Sequence, residues 1–466
     1  MLNCQKIRQL KRGLKSDPMV SLTFYGGVNE IGGNKILLED KGARIWFDFG
    51  LSFKKGQKFY TGFLTARRAA GCADDLELGI IPRIEGLYSE EMLKFTDLKY
   101  KEPEFDGIVI SHAHMDHCAH LQYIDEKIPI YLGETTHAII KTIEETSSGV
   151  KFGEHKYRKF RTGNKITIGS VEIEPIHVDH SIPGAYGFLI HTTEGTIVYT
   201  GDIRFHGPAA IMSIEFIKKA KESRPIALII EGTRLGREEK TEKMTEADVQ
   251  RLVCKILKRT RKFVATTFYG RDYDRIMSFY HASLKCERKF TVSMRTAHLL
   301  NKLKHDKRLN CPDPLKDPNI LIYIRRKKSY YKWERPYINS SNAVNYEWIR
   351  KNFSNVLLNL DLYNFAELVD IKPDGGDFIH SMSEPFVEGG LDQIEQEVML
   401  NWLEHFNLKF HQAHASGHCS VKDLGKVVRF ISPKVVIPVH TENARLFRKF
   451  GVKVKQLKSE KVKIMV

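Results

Sequence analysis

The residues with the clearest chemical potential in this 466-residue chain form one short cluster, Ser111-His112-Ala113-His114-Met115-Asp116-His117. The apolar run 107–110 precedes it and predicts a buried strand, so the cluster occupies the turn where that strand ends. Side chains at alternate positions leave such a turn in different directions. His112 and His114 can therefore bind one metal ion while Asp116 and His117 bind a second. Two metal ions roughly 3.5–4 Å apart can hold both the attacking and the leaving oxygen during hydrolysis of a phosphate ester or an amide. A metal-free polar loop rich in histidine is the alternative, which this spacing disfavours.

Other polar residues follow predicted strands further along the chain. An alternating stretch leads to His177 and His180, and either could complete the histidine set of the first metal. A β-branched stretch ends before Asp202, which can bridge two cations, although a lone aspartate after a strand is more often a cap or turn residue. An apolar stretch ends before Glu231. The predicted strands cover 107–110, 171–176, 196–200 and 226–230, and their polar ends indicate one sheet edge that gathers a site.

Asp48 lies between aromatic residues in a further predicted strand, 44–49. A buried acid is costly unless it is paired or hydrogen-bonded. We therefore predict that Asp48 orients the metal-binding histidines through hydrogen bonds.

Composition favours a basic enzyme of a reducing compartment. The chain has 73 Lys and Arg against 57 Asp and Glu, a net charge of +16, which suits a polyanion such as nucleic acid or is the mark of a generally basic soluble protein. Seven cysteines without a C-x-x-C pair indicate neither a disulfide framework nor a zinc ribbon. No apolar run approaches the ~20 residues that span a bilayer, and no apolar leader follows the first basic residues, so we expect a cytoplasmic enzyme without a membrane partner. The basic segment 6–15 is either an arm that contacts nucleic acid or a solvated helix or tail.

The motifs together resemble the β-CASP nucleases of the metallo-β-lactamase superfamily, above all the ribonuclease J family. The metal motifs of that fold are matched in order by Asp48, the 112–117 cluster, His180 in His-Ser-Ile-Pro-Gly and Asp202 in Thr-Gly-Asp. The three motifs that the β-CASP group adds are matched by Glu231, His418 in His-Ala-Ser-Gly-His and His440 in Ile-Pro-Val-His. The glycine-rich stretch 26–32 is similar to the opening of ribonuclease J. The resemblance assigns His180 to the metal in place of His177.

The resemblance implies an α/β fold, a metallo-β-lactamase αββα sandwich with an inserted α/β β-CASP domain. The separation of Glu231 from His414 is too long for a loop in a compact domain. Its pattern alternates helices near 246–260 and from about 271 with strands at 262–267, 290–294 and 320–324, before 377–384 returns to the main body. We expect the sandwich to contain 1–235 and 386–466, with the β-CASP domain at 236–385.

The same resemblance implies a two-metal site. One zinc ion would be held by His112, His114 and His180, the other by Asp116, His117 and His440, with Asp202 as the bridge between them. The ligand types also suit manganese. A hydroxide between the ions would attack phosphorus, and His418, held by Glu231, would give the leaving oxygen a proton. The phosphate-binding loop would use His414, Ser416 and Gly417.

These features favour a ribonuclease that acts on single-stranded RNA. A histidine at position 440 is typical of RNA-processing members, whereas the DNA-processing members usually have valine there. The basic residues Arg325, Arg326, Lys327 and Lys328, followed by aromatic residues, suit the lining of an RNA channel or, equally, a solvated basic hairpin.

We expect 5′→3′ exonuclease action, with endonuclease action as a secondary possibility. The stretch 266–275 lacks the Ser-Asn pair that the family places near the 5′-phosphate, so dependence on a 5′-monophosphate is less strongly implied. The chain stops soon after His440, as in the short archaeal-type members without the extra C-terminal domain, and a homodimer is implied by resemblance alone. The alternatives are a DNA nuclease of the same group, a non-catalytic RNA-binding subunit and a small-molecule metallohydrolase.

Overall fold

The computed structural model of the chain describes residues 20–236, 244–383, 391–457, 459 and 462–465. The basic segment 6–15 and residue 384, the end of the predicted return segment, lie outside the described residues. Among the described residues, no helix is both long and apolar enough to cross a bilayer.

Twenty strands occur in the described part of the chain. They are β1 Ser21–Gly26, β2 Lys35–Asp40, β3 Ala43–Phe49, β4 Gly107–Ile110, β5 Ile130–Gly133, β6 Tyr157–Phe160, β7 Ile166–Ile168, β8 Val171–His177, β9 Tyr186–Thr192, β10 Gly195–Tyr199, β11 Ala227–Glu231, β12 Phe263–Thr267, β13 Lys289–Ser293, β14 Ile320–Tyr323, β15 Ala343–Val344, β16 Val356–Asn359, β17 Gly376–His380, β18 Leu408–Gln412, β19 Val436–Val439 and β20 Val462–Met465. The strands predicted before the cluster and in the first half of the insert are all present.

The α-helices are α1 Phe53–Phe59, α2 Ala73–Glu77, α3 Glu90–Leu93, α4 Met115–Cys118, α5 Glu134–Thr146, α6 Ala210–Glu222, α7 Glu246–Arg259, α8 Tyr273–Lys285, α9 Met294–Leu303, α10 Arg335–Ile338, α11 Tyr346–Lys351, α12 Glu367–Ile371, α13 Leu391–His405 and α14 Val421–Ile431. Short 3₁₀ helices cover Arg68–Ala70, Ala119–Tyr123, Lys332–Glu334, Phe353–Asn355, Leu362–Asn364 and Ala444–Phe450.

Two of the three sheets form a sandwich. The first has the order β20-β1-β2-β3-β4-β5-β6 and the second the order β19-β11-β10-β9-β8-β7. Alternate residues of facing strands, among them Phe47, Val109, Phe188 and Ile229, meet in one apolar core between the sheets. This core forms because alternating side chains of a strand lie on opposite faces of its sheet.

Helices cover the outer faces of this sandwich. Apolar residues of α6 and α14, such as Phe216 and Val428, pack on the outer face of the second sheet. Residues of α5, such as Ile139, pack on the outer face of the first sheet. The four layers are helix, sheet, sheet and helix, which confirms the predicted αββα class.

The third sheet belongs to the insert and is parallel throughout, with the order β15-β14-β13-β16-β12-β17-β18. The segment predicted to return to the main body forms β17, which pairs with β12. Strand β18 then pairs with β17, so the inserted sheet extends beyond the boundary predicted at 385. The half-exposed pattern of β18 is that of an edge strand, which alternation in sequence signals only weakly.

The insert and the sandwich share an apolar interface. Ile139 and Ile143 of α5 belong to the same buried cluster as Leu299, Leu300 and Leu303 of α9. This shared core seats the insert over one end of the sandwich, beside the 111–117 turn. The six cysteines in the described part of the chain are all free.

Candidate metal centre

The chemistry-bearing residues meet at one edge of the two sandwich sheets. Strands β3 and β4 run parallel in the first sheet, and β10, β11 and β19 run parallel in the second. Parallel strands present their carboxyl ends at the same edge, so residues that follow them become neighbours. The residues that follow or end these strands are Asp48, the 111–117 turn, Asp202, Glu231 and His440, and His180 joins them from the loop after β8.

Three imidazoles form the first group of ligand-type side chains. Nδ1 of His114 lies 3.0 Å from Nε2 of His112 and 3.1 Å from Nε2 of His180. Burial lowers the pKa of His112 and of His180 well below the ordinary value, and lowers that of His114 to about 4. Neutral imidazoles with converging ring nitrogens are the form that binds a metal ion.

Asp116, His117 and His440 form the second group. Nε2 of His440 lies 3.0 Å from Oδ2 of Asp116. Burial opposes a positive charge on His440, but the carboxylates of Asp202 and Asp116 outweigh burial and raise its pKa to about 9. This acid and these two imidazoles are held together by their opposite charges.

Asp202 lies between the two groups. Its Oδ2 is 3.6 Å from Nε2 of His112 and 3.7 Å from Nε2 of His180 in the first group. The same oxygen is 3.3 Å from Nε2 of His117 and 3.8 Å from Nε2 of His440 in the second group. One carboxylate thus faces both sets of ligand-type nitrogens, as a bridging ligand would.

The donor set fits divalent metal ions. Nε2 of His117 and Oδ1 of Asp202 are buried and have no partner with hydrogen-bond geometry. Buried polar atoms are normally partnered, and an ion between the two groups would satisfy both atoms. Imidazole and carboxylate ligands are those that zinc prefers, and they also suit manganese.

A set of surrounding hydrogen bonds orients the histidines. Nδ1 of His117 lies 2.8 Å from Oδ2 of Asp48, which also accepts hydrogen bonds from Tyr199 and Ser111. Nδ1 of His180 donates to the carbonyl of Gly417 at 2.6 Å. In both rings the bonded nitrogen leaves Nε2 directed into the centre.

Thr233 is a supporting residue that sequence reasoning missed. Its hydroxyl donates to Oε2 of Glu231 at 2.8 Å and accepts from Nδ1 of His440 at 2.8 Å. The chain of bonds from Glu231 to His440 holds the imidazole with Nε2 toward Asp116. The Glu-Gly-Thr sequence after β11 was visible, but nothing in it indicated which histidine the threonine would meet.

His418 lies at the open side of the centre. Its Nδ1 is 3.3 Å from Oε1 of Glu231 and 3.8 Å from Oδ2 of Asp202. Glu231 is fully buried, while the His418 side chain is 21% exposed. Burial raises the pKa of Glu231, but His418 outweighs burial and the pKa is lowered. This pair meets solvent at the edge of the cluster, where a substrate can reach it.

Two buried arginines hold the 414–417 loop by its carbonyl groups. Nη2 of Arg275 donates to Ala415 O at 2.9 Å, and Nη1 of Arg204 donates to Ser416 O at 3.2 Å. His414 lies 3.4 Å from Nη1 of Arg275, and burial lowers its pKa to about 3. The Ser416 hydroxyl accepts from the His418 amide. With its carbonyls fixed, the loop keeps its remaining donors for other partners.

These arginines belong to an interdomain charge network of six groups, of which all but Asp274 are buried. Arg204, from the loop after Asp202, contacts Asp179, Glu246 and, closely, Asp274. Arg275 of α8 contacts both oxygens of Glu246. The network joins the sandwich to the insert and consists of Asp179, Arg204, Glu246, Asp272, Asp274 and Arg275.

The described contacts of residues 325–328, which the sequence predicts to bind RNA, do not reach the metal centre. Arg325 bonds to Asn364, Arg326 lies 2.9 Å from Asp370 and Lys327 bonds to Glu334, all within the insert. Lys328 is exposed. Tyr330 and Trp333 pack against the apolar core, as expected of the basic hairpin alternative.

His177, the alternative to His180, lies away from both groups. Its ring bonds to Thr162 and packs on Tyr186.

A cavity of about 470 Å³ lies beside the centre. Its lining includes the residues at the carboxyl ends of four parallel strands of the insert: Thr267, Ser293, Asn359 and His380. Tyr269 also lines it, and the Tyr269 ring lies 5.8 Å from that of His114. Such strand ends are where α/β sheets bind ligands.

Two families of known domains match the chain. A beta-lactamase superfamily domain matches residues 90–262, which include the 112–117 cluster, His180 and Asp202. A Zn-dependent metallo-hydrolase RNA specificity domain matches residues 404–455, which include His418 and His440.

Curated relatives match over most of the chain. It is 23% identical to ribonuclease J of Helicobacter pylori over 93% of this chain and 57% of that protein. It is 22% identical to ribonuclease J of Mycoplasma genitalium over 90% of this chain and 67% of the relative. It is 23% identical to ribonuclease J2 of Bacillus subtilis, with 92% and 70% covered. The chain thus spans little more than half the length of the Helicobacter protein.

A solved structure of similar fold is a protein of unknown function from Enterococcus faecalis. It matches with a TM-score of 0.77 at 21% identity, over 96% of this chain and 100% of that one.

Proposed function

We propose that the chain is a metal-dependent hydrolase of phosphodiester bonds in single-stranded RNA. It is similar to ribonucleases J over most of its length, and it matches both a beta-lactamase superfamily domain and a Zn-dependent metallo-hydrolase RNA specificity domain. The observation that carries this function is the position of Asp202. One of its oxygens lies within 3.3–3.8 Å of nitrogens from both ligand groups.

The metal ligands would be seven residues: His112, His114 and His180 at one ion, Asp116, His117 and His440 at the other, and Asp202 between them. Two ions bound there, zinc from the donor types, would neutralise charge at the phosphate and lower the pKa of the attacking water. Asp48 and Thr233 keep His117 and His440 oriented toward this pair.

His418 would give the leaving oxygen its proton. Its contacts with Glu231 and Thr233 are made through Nδ1, which leaves Nε2 for the substrate. The buried Glu231 carboxylate, 3.3 Å from Nδ1, fixes the orientation of the ring that a general acid needs. His414, Ser416 and Gly417 would hold the phosphates through ring, hydroxyl and amide donors.

The cavity beside His114 supports 5′→3′ exonuclease action. Its volume of about 470 Å³ lies in the range of small-ligand sites, and its lining includes Arg271 and Arg295. A terminal nucleotide held there would place the next phosphodiester bond near the metal ions. Endonuclease action would require the strand to pass the cavity without a free end.

RNA is the proposed substrate because the matched RNA specificity domain contains His440. A cytoplasmic location suits the free cysteines of the described chain. We also propose that the chain forms a homodimer and that residues 325–328 contact RNA.

The deciding experiment follows cleavage of single-stranded RNA that is labelled at its 3′ end and carries a 5′-monophosphate or a 5′-triphosphate. With zinc or manganese, we expect the monophosphate substrate to be consumed with release of mononucleotides and without internal fragments. Internal fragments from both substrates would establish an endonuclease. Absence of cleavage of any RNA would overturn the proposal, and the same assay with single-stranded DNA tests the DNA nuclease alternative.

Asp116→Ala and His117→Ala should abolish cleavage while most RNA binding is retained, because the ligands and the basic surface act separately. His418→Ala should still bind the metal ions, but its cleavage rate should fall by about 10²–10⁴-fold because the leaving oxygen lacks its proton donor. Cleavage at the wild-type rate by either ligand variant would contradict the two-metal assignment.

A further inference from the structure

The segment 53–68 is an exposed surface that the centre does not use. It contains five Lys and Arg residues, four Phe and Tyr residues and no Asp or Glu. Its helix α1 has no buried residue. Phe53 is 43% exposed, Phe59 42% and Phe63 fully exposed. Large apolar side chains left in solvent beside cations usually mark a binding surface.

Hydrogen bonds of the two residues just before the segment hold its beginning beside the metal centre. Leu51 N donates to Met115 O at 3.0 Å, and the Ser52 hydroxyl bonds to Glu30. Gly50 lies so close to the turn that an added Cβ would be 1.8 Å from the backbone oxygen of Asp116. The side chain of Lys54 reaches Glu442 at 3.7 Å, two residues beyond His440. Helix α1 therefore starts beside the 111–117 turn.

The end of the segment reaches the rim of the cavity. Nη2 of Arg68 donates to Ser148 O at 3.1 Å. The neighbouring Ser147 and Thr146 line the cavity. The segment thus runs from the metal centre to the cavity and borders the region that a nucleic acid strand would have to cross.

The chemistry of the surface selects its occupant. Five cations with no acid in the segment suit a polyanion. Two of these cations pair with acids outside the segment, Lys54 with Glu442 and Arg67 with Asp74. Exposed phenylalanine rings suit unpaired bases, which stack on aromatic side chains, whereas a duplex hides its base faces. Lys58 in the last turn of α1 adds a cation beside Phe59 in sequence.

We propose that segment 53–68 is a surface on which the bases of single-stranded RNA stack. It would bind substrate nucleotides that lie outside the metal centre and the cavity. The inference rests on the proposed function and adds to it a substrate-binding surface. Phe59 and Phe63 contact bases, while Lys58 contacts a phosphate.

The test compares the double variant Phe59→Ala/Phe63→Ala with wild type in the full chain. Binding of a fluorescent 20-nucleotide oligoadenylate and of a 5-nucleotide one is measured without divalent metal. Affinity for the 20-mer should fall by at least ~10-fold, because each base stacked on an aromatic ring contributes about 5–150-fold. Affinity for the 5-mer and hydrolysis of bis(p-nitrophenyl) phosphate with zinc should not change.

A matched control removes two exposed phenylalanines elsewhere that also have lysine neighbours. These are Phe95, with Lys94 Nζ 5.6 Å from its ring centre, and Phe430, with Lys221 Nζ at 4.4 Å. Phe95→Ala/Phe430→Ala should bind the 20-mer as wild type does. Phe59→Trp/Phe63→Trp should restore binding, whereas leucine at both positions should not. Lys58→Ala should reduce the salt dependence of binding by about one phosphate contact.

Equal affinity of Phe59→Ala/Phe63→Ala and wild type for the 20-mer would overturn the inference, and RNA cleavage by wild type would leave the proposed function standing. A change in oligomeric state with unchanged RNA affinity would instead assign the surface to a second copy of the chain. If wild type neither binds nor cleaves RNA, the proposed function itself fails.

Discussion

The metal centre and the interdomain charge network are both buried clusters of charged and polar groups, but they differ in how completely the protein satisfies them. In the network, the guanidinium of Arg275 meets Glu246, Ser381 O and Ala415 O, and no side-chain atom of its six residues is among the described buried atoms without a partner. In the metal centre, His117 Nε2 and Asp202 Oδ1 are such atoms.

The two clusters therefore suit different roles, one structural and one in binding cations. A buried charge with complete partners holds two parts of a fold together, and its loss leaves the partner charge unpaired. The metal centre combines carboxylates, the neutral imidazoles of its first group and buried polar atoms without a partner, so it has capacity left for cations. Arg204 belongs to the charge network and Asp202 to the metal centre, although the two are only two residues apart in the chain.

The largest effect should follow Asp202→Asn in the metal centre. Cleavage should fall by ~10⁴-fold or more, because the pair of ions that we propose would contribute several kcal/mol at the transition state. Single-turnover cleavage and bound metal per chain are the measurements. Asp97→Asn, at a side chain that is 80% exposed, is the matched control. Activity within tenfold of wild type would remove Asp202 from the bridge.

Arg275→Met should instead reduce stability, by roughly 3–5 kcal/mol, because Glu246 is left buried without its main partner. Urea unfolding followed by circular dichroism measures this change. Arg326→Met, which breaks an ion pair with Asp370 at an arginine side chain that is 70% exposed, should cost less than ~1 kcal/mol. Equal costs for the two variants would erase the distinction between the buried network and a surface pair.

Zinc should stabilise the protein through the metal centre alone. Added to chelator-treated protein at about 100 times its dissociation constant, zinc should raise the free energy of unfolding by about 2.7 kcal/mol for each ion that binds. Arg275→Met should gain as much as wild type, and Asp202→Asn much less. Thermal unfolding with and without zinc is the measurement, and a full gain by Asp202→Asn would contradict the ligand assignment.

The smallest effect concerns His206, whose Nε2 donates to Ser416 O at 2.8 Å beside the network. Burial is the main cause that lowers the pKa of His206 to about 4, and the positive charge of Arg204 lowers it further. As pH falls from 6.5 through 4, the unfolded chain takes up a proton that the folded chain does not, so stability is lost. Between pH 7 and pH 5 this loss is about 2 kcal/mol. His206→Asn should reduce the pH-dependent change in urea unfolding by that amount, and an unchanged difference would argue against it.

Much of the fold could be predicted because strands of the sandwich have strong local patterns. The apolar run 107–110 corresponds to β4 residue for residue, since both faces of this strand are buried. The second half of the insert could not be predicted as well. Strand β17 pairs with β12, which lies more than a hundred residues earlier, and no local pattern indicates that partner.

The candidate site divides in the same way. His112, His114, Asp116 and His117 were recognisable because ligand types at that spacing rarely have another use. Asp48 was recognisable as an acid in an apolar strand, and the structure pairs it with His117. Residues 325–328 had a clear composition, but composition does not indicate which acids lie nearby, and the fold supplies Asp370 and Glu334.

Residue identity and local periodicity were enough to predict the candidate ligand residues, their order along the chain and the strands that they follow. Only the folded chain shows that Thr233 contacts His440 and that Gly417 contacts His180. It also shows that Arg204 and Arg275 hold the loop before His418. Such contacts join residues up to 237 positions apart. They depend on how sheets and domains pack, which no local stretch of sequence records.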